Sequence, residues 1–378
     1  MIDMNNSLIY SHENFTRWIS VILSPIILIG CAIGNIASFM VLLRPRLRRQ
    51  TTSIYLAVLC IAEIGTCYTG LLRQFLLDAF RLDIRTINPL ACRSHIYFTY
   101  LFLRLAPLLL ALVTLQRYFY VTQRAICSLK STCAQLVCLF IFASTAELHL
   151  FAFYDLTYSD TRPRSEHVPF ECTVDKLHHS TYYEFRSKIY PKLALVAYTV
   201  VPLAIIIIGN VLLVRTVRKA SQRAKCKTKK KRSVTRMLYA VSVLYTVLTS
   251  PASIFLAIAP ASYQLAPAFR LQWTLLRLLF YLCHSVNFLL FCVSGTFFRQ
   301  EFISFSRSIC AIQLNWKSNH NHAVGIDGMT KFEEILNPTL KSRTPSGNSL
   351  TKTEKQSSKL NETRSAETPP EILKNSTS

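Results

Sequence analysis

Three arginines and one glutamate stand inside stretches that are otherwise apolar for twenty residues or more: Arg73, Arg104, Arg277 and Glu63. A charge at such depth is costly and faces a cavity or a partner rather than lipid. A pocket lined by guanidinium groups suits a ligand bearing a carboxylate, acidic side chains or a carbonyl-rich backbone. The alternative is internal pairing, with Glu147 or with acids of the outer loops, and both readings stay open. A second spacing concerns Cys92 and Gln116-Arg117-Tyr118. Cys92 and Arg117 are twenty-five residues apart, roughly 37 Å of helical rise, about one bilayer with its headgroup edges. One rod therefore carries a cysteine at one membrane face and an arginine at the other. No P-loop, HExxH or nucleophile elbow is present, so an enzyme is not expected.

The elements that must position these residues are seven apolar stretches, about 18–43, 53–77, 95–120, 132–154, 190–215, 237–259 and 272–296. The chain is 51% hydrophobic. A bilayer core offers no water to backbone amides, so each stretch is expected to be a helix. The fold class is an all-α membrane protein: a seven-transmembrane helix bundle at 18–296, an N-terminal tail at 1–17, a short amphipathic helix at 297–310 and a disordered tail at 311–378. Residues 1–17 have no basic region, apolar core and cleavage site in series, so the first span is expected to act as its own insertion signal.

Net charge is +23, and its placement sets the orientation. Arg44, Arg46, Arg48 and Arg49 follow the first span. Eleven Lys or Arg and no acid lie between 215 and 236. Basic loops stay in the cytoplasm, so the amino terminus is expected outside and the carboxyl terminus inside. Of twelve cysteines, that orientation leaves only Cys92 and Cys172 on the oxidising side, and a disulfide between them is the default. Sequons at Asn5 and Asn14 fall outside and are candidates for glycosylation; those at Asn361 and Asn375 fall inside and should stay bare. The loop 155–189 is expected to lid the outer mouth. Phe298, Phe302 and Phe305 recur at helical spacing, as a helix lying on the inner membrane surface requires. Cys310 just beyond is a candidate for palmitoylation.

In this order the motifs resemble those of the rhodopsin-like (class A) family of G protein-coupled receptors. They are Gly34-Asn35; Leu59-Cys60-Ile61-Ala62-Glu63; Cys92 with Gln116-Arg117-Tyr118; Pro202; Pro251; and Asn287-Phe288-Leu289-Leu290-Phe291 with Phe298-Arg299. The Asn-Phe variant resembles the invertebrate FMRFamide-like neuropeptide receptors. The resemblance implies a receptor that binds an extracellular ligand, expected to be a neuropeptide, and activates a heterotrimeric G protein. Implied partners also include arrestin, a receptor kinase and membrane lipids; no cofactor and no nucleic acid is expected. It implies ligand-binding roles for Arg73, Thr99, Arg104 and Arg277, and coupling or switch roles for Arg117, Tyr118, Tyr245, Asn287 and Phe291. Thr99 stands where amine receptors carry aspartate, which argues against a biogenic amine.

Several positions depart from the family. Gln116 replaces the acid that restrains the arginine, so raised basal signalling is expected. Thr249, Asn210 and Phe291 replace usual aromatic switch residues. The acid matching Glu63 binds sodium in the family; here a hydrogen-bonded cluster of Asn35, Glu63 and His284 is preferred to a sodium ion. The alternatives to a peptide receptor are a chemosensory receptor for a small organic anion, and a transporter or channel. Against the last, no paired half-helices recur in two related halves.

Overall fold

The computed structural model describes residues 2–122, 128–158, 170–223, 229–259, 263, 267–308 and 310. The expected tail 311–378, its sequons and part of the loop 155–189 lie outside these residues. Among the described residues six helices are long and apolar enough to cross a membrane, and a bent pair, taken as one span, makes a seventh. In chain order they are α1 (Ile2–Leu42), α2 (Thr51–Phe80), α3 (Pro89–Val121), α4 (Leu129–Phe153), α5 (Ser180–Val217), α6 (Lys229–Ile258), and the pair α7 (Pro267–Ser285) and α8 (Asn287–Ser294). A further helix, α9, runs over 296–308.

Two boundaries differ from expectation. Residues 1–17 were read as a tail, yet α1 is helical from Ile2. No Gly or Pro interrupts this stretch before Pro25, so nothing in the backbone stops the helix. Its outer turns are also held by neighbours. Arg17 Nε donates to the carbonyl of Asp78 at 2.5 Å, Ser20 Oγ donates to Asp78 Oδ2 at 2.5 Å, and Glu13 pairs with Arg270. The fifth span starts at Ser180, ten residues before the expected 190.

Local chemistry shapes the other elements. Asn88 Oδ1 accepts from the Ala91 amide at 2.7 Å, with Pro89 next in sequence, and this opens α3. The Ser128 side chain caps α4 in the same way. Helix α5 holds two π turns, Phe185–Ile189 before Pro191 and Val196–Val200 before Pro202. Each proline lacks an N–H and crowds the carbonyl four residues back, and the wider turn absorbs the mismatch. The seventh span bends by 47° between α7 and α8 without a proline. There Ser285 Oγ donates to the Leu282 carbonyl at 2.9 Å, a side-chain bond that competes with the helical ladder.

Between α4 and α5, strands β1 (Tyr154–Tyr158) and β2 (Phe170–Val174) pair antiparallel, with Leu156 opposite Cys172. Cys172 is bonded to Cys92 at the start of α3, Cα to Cα 5.5 Å. The bundle core is apolar, with Leu59, Leu105, Leu109, Ile206, Val241 and Phe291 buried among α2, α3, α5, α6 and α8. The outer surface is apolar as well: Val137, Phe140, Ile141 and Leu148 of α4 are exposed. That is the surface lipid requires and water does not tolerate over such an area.

Candidate functional site

Helix α3 is the axis of the site. At its disulfide end stand Thr99, Tyr100 and Arg104; at its far end stand Gln116, Arg117 and Tyr118. Each of the three expected pocket arginines has an acidic partner. Arg73 forms a bidentate pair with Asp83, Nε to Oδ1 2.9 Å and Nη2 to Oδ2 2.6 Å. Arg104 Nε lies 3.5 Å from Glu147 Oε1, and Arg277 Nη2 lies 3.8 Å from Asp78 Oδ2. Internal pairing, one of the two sequence readings, is therefore realised in all three, and Asp83 and Asp78 are partners that spacing did not single out. Thr99 Oγ1 turns back on its own helix, donating to the His95 carbonyl at 2.7 Å.

Between α3, α4 and α5 lies a stack that no motif announced. The Arg186 guanidinium sits over the rings of Tyr190 at 4.6 Å and Tyr100 at 5.1 Å. Arg104 sits over Tyr100 at 5.5 Å and Tyr198 at 4.7 Å. Rings and guanidiniums alternate, an arrangement in which each cation faces a negative ring face. The two π turns of α5 carry Arg186 and Tyr198. Fully buried Glu147 closes the stack, accepting from Tyr190 Oη at 2.5 Å. The sequence signal for this site was weak: tyrosine is common in membrane helices, and a π turn has no simple pattern.

The polar core differs from expectation in its wiring. Glu63 Oε1 accepts from the Asn287 side-chain amide. His284 Nδ1 stands 3.9 Å away. Asn35 does not complete a side-chain cluster with Glu63 and His284; its Nδ2 donates to the His284 carbonyl at 2.9 Å, where the seventh span breaks. Asn287, expected at a switch, is thus part of the polar core. Beside the carboxylate stand the Asn287 amide and the His284 imidazole, while the Cys31 thiol is directed to the Glu63 backbone carbonyl at 3.7 Å. Hard cations take oxygen ligands, and Glu63 Oε2 and Asn35 Oδ1 are buried oxygens without a hydrogen-bond partner; no step is assigned to the sodium ion that the resemblance implied.

At the other end Arg117 is buried with its guanidinium 5.6 Å from the Tyr120 ring, and Tyr118 is tilted against Phe119. Gln116 Nε2 donates to Thr51 Oγ1 of α2 at 2.6 Å. Tyr245 meets the His284 ring edge-on at 6.2 Å. Phe291 is fully buried and packs on Phe298 at 5.4 Å, while Phe288 packs on Phe302 at 5.1 Å. Glu301 of α9 is buried and pairs with Arg44 at 3.5 Å and Arg46 at 3.2 Å. Cys310 is exposed. Asn14 is half-buried on α1, and Asn5 lies on the same helix.

The family model of the 7 transmembrane receptor (rhodopsin family) matches residues 34–294. That range runs from Gly34 to the end of α8 and includes every motif quoted above except Phe298-Arg299. No curated protein matches the chain as a relative.

Proposed function

The chain belongs to the rhodopsin family of seven-transmembrane receptors, and from that premise we propose that it is a G protein-coupled receptor for a neuropeptide. The ligand enters at the disulfide end, which faces the exterior, and biases a two-state bundle. The far end of α3, with Arg117, Tyr118, Tyr245 and Phe291 near it, then presents the inner cleft to a heterotrimeric G protein. The observation that carries this reading is the continuity of α3. It runs unbroken from the half-cystine Cys92, past Thr99 and Arg104, to Arg117. A shift at one end of such a rod is felt at the other.

The basic stretch after α5 and the four arginines after α1 support an inward-facing Arg117 end. In this orientation Asn5 and Asn14 are glycosylation sites, Cys310 is a lipidation site beside α9, and the protein is a multi-pass protein of the plasma membrane. The Asn287-Phe288 pair supports the FMRFamide-like branch. A second reading, a chemosensory receptor for a small organic anion, is favoured by the two guanidiniums of the tyrosine stack, groups that suit a carboxylate.

The test is expression in cells, with a neuropeptide library screened for G protein activation and Arg117→Ala as control. Activation by a peptide that Arg117→Ala abolishes supports the first reading. Activation by small organic acids alone moves the assignment to the second, and ligand-gated current without G protein overturns both.

A further inference from the structure

In the stack between α3, α4 and α5, two guanidiniums stand near one carboxylate, and it pairs with only one of them. Arg104 has Glu147, which also accepts from Tyr190. Arg93 is satisfied elsewhere, by Asp155 at 2.6 Å. For Arg186, no carboxylate lies within ion-pair distance among the described residues. Its partners are neutral: two ring faces, the Tyr100 hydroxyl, which Nη2 reaches at 2.5 Å, and the Tyr154 hydroxyl. Its Nε is buried and meets no acceptor.

A desolvated donor left without an acceptor is costly, more so on a charged group. Cation–π contacts offset part of the loss of hydration but do not take a hydrogen bond from Nε. The arrangement is therefore one positive charge and one N–H short of an acceptor. A carboxylate answers both deficits, because its two oxygens match the edge of a guanidinium. The other arginines of the disulfide end differ in charge: Arg73 has both oxygens of Asp83, and Arg93, Arg104 and Arg277, though each also has a buried Nε without a hydrogen-bond partner, are paired with Asp155, Glu147 and Asp78.

We infer that Arg186, held between Tyr100 and Tyr190, is the site that binds a carboxylate of the ligand. The inference rests on the peptide-receptor reading and narrows it to peptides with an available acid. It also moves the anion-recognition role from Arg73, Arg104 and Arg277, whose charges are matched, to a residue outside the sequence-derived set. Arg186 lies in the first π turn of α5, so a carboxylate drawn to it acts on the helix segment least regular in its hydrogen bonding.

The test uses the full chain purified in detergent, its thermal midpoint followed at constant ionic strength. Three probes are titrated: acetyl-phenylalanine, with a terminal carboxylate; acetyl-aspartate bis-capped at its terminus as the methylamide, with a side-chain carboxylate; and acetyl-phenylalaninamide, with none. At least one acid is expected to raise the midpoint where the amide does not, and which acid does so separates a chain terminus from an acidic side chain. Arg186→Gln is expected to weaken that response about tenfold or more. Arg186→Lys, which keeps charge but not the planar fork, should recover part of it, and Arg270→Gln, at an exposed pair with Glu13, should leave it unchanged. Should Arg186→Gln fail to fold, Tyr100→Phe, which removes only the hydroxyl that orients Nη2, is expected to weaken the same response. Equal effects of acid and amide, no effect of either, or an acid response undiminished in Arg186→Gln overturns the inference. G protein activation is not read here. A carboxylate site without any signalling peptide would sink the proposed function alone, and peptide signalling indifferent to carboxylates would sink only this inference.

Discussion

Asn287 donates its side-chain amide to the carboxylate of Glu63, so the first residue of α8 is tied directly to the buried acid of α2. The bond is made just past the break in the seventh helix, where the His284 carbonyl accepts from Asn35. Asn287→Leu is expected to leave Glu63 with an unmet acceptor in the core and to cost about 1–3 kcal/mol. Glu63→Leu should cost a similar amount, and the double variant less than the sum, because removing both partners leaves nothing unsatisfied. Thermal midpoints of the four proteins in detergent decide this; strict additivity would mean the bond carries no coupling.

Gly65 sits where α2 meets α3, and a Cβ built on it would overlap the ring of Phe102. The neighbour is a rigid ring rather than the end of a flexible chain. Gly65→Ala is expected to destabilise by about 1–3 kcal/mol, the usual cost of overpacking. Phe102→Leu in the same chain should recover much of the loss. An unchanged midpoint in Gly65→Ala would show that the two helices are not this close.

The bundle and its spans were legible in the sequence because lipid forces one solution on long apolar stretches. The burial of Glu63 and Arg117 and the bond between Cys92 and Cys172 were legible for the same reason: a charge or thiol in such a stretch has few places to go. What escaped were relations between helices. Arg73 and Asp83 are ten residues apart, and their pairing needs the turn in which Arg81 takes a left-handed conformation, φ 58°. The Arg186 stack needs two π turns to rotate α5, and the Glu63–Asn287 bond needs a helix break without proline. None of these has a period to read.

The hairpin after α4 offers a pH-dependent test outside the membrane. Partial burial acts to raise the carboxyl of Asp155, but hydrogen bonds from Arg93 and from the Leu156 amide outweigh it and hold the group below its ordinary range. A depressed folded-state value means the contribution is present above the unfolded value, about 3.9, and is lost as pH falls through the lower folded one. The pairing is half exposed, so the effect is small. Protection of 154–158 against hydrogen exchange, relative to the intrinsic rate at each pH, is expected to hold from neutral pH to about pH 4 and to fall below it, and Arg93→Gln should remove that dependence. A hairpin equally protected at all pH values in both proteins would contradict it.

Glu301 holds α9 against the turn after α1 through Arg44 and Arg46, with Phe305 stacked by Arg44 at 5.8 Å. Glu301 is buried and Arg44 is mostly covered, so removing the carboxylate charge leaves Arg44 without its partner, while Arg46 is open to solvent. Glu301→Gln is expected to loosen α9 and to speed backbone hydrogen exchange over 296–308 several-fold, while the seven spans melt nearly as before. Phe302→Ala, which removes the apolar contact to Phe288, should do the same by a different route. Exchange rates unchanged in both variants would mean α9 is docked by something other than these contacts.

Gln116 bears on the resting state. In the family an acid at this place restrains the following arginine; here the side chain is an amide, and its Nε2 is directed to Thr51 of α2 at 2.6 Å. An amide brings no charge to oppose Arg117, so the inactive bundle has one fewer electrostatic tie. Even a partly buried ion pair of moderate strength shifts a two-state population several-fold, since about 1.4 kcal/mol is a factor of ten. Gln116→Asp is therefore expected to lower ligand-free G protein activation by roughly three- to tenfold. Thr51→Ala, which breaks the bond to Gln116 without adding charge, should not lower it. Nucleotide exchange measured in membranes without ligand separates the two variants. Equal basal rates in wild type and Gln116→Asp would show that the arginine is restrained by other means.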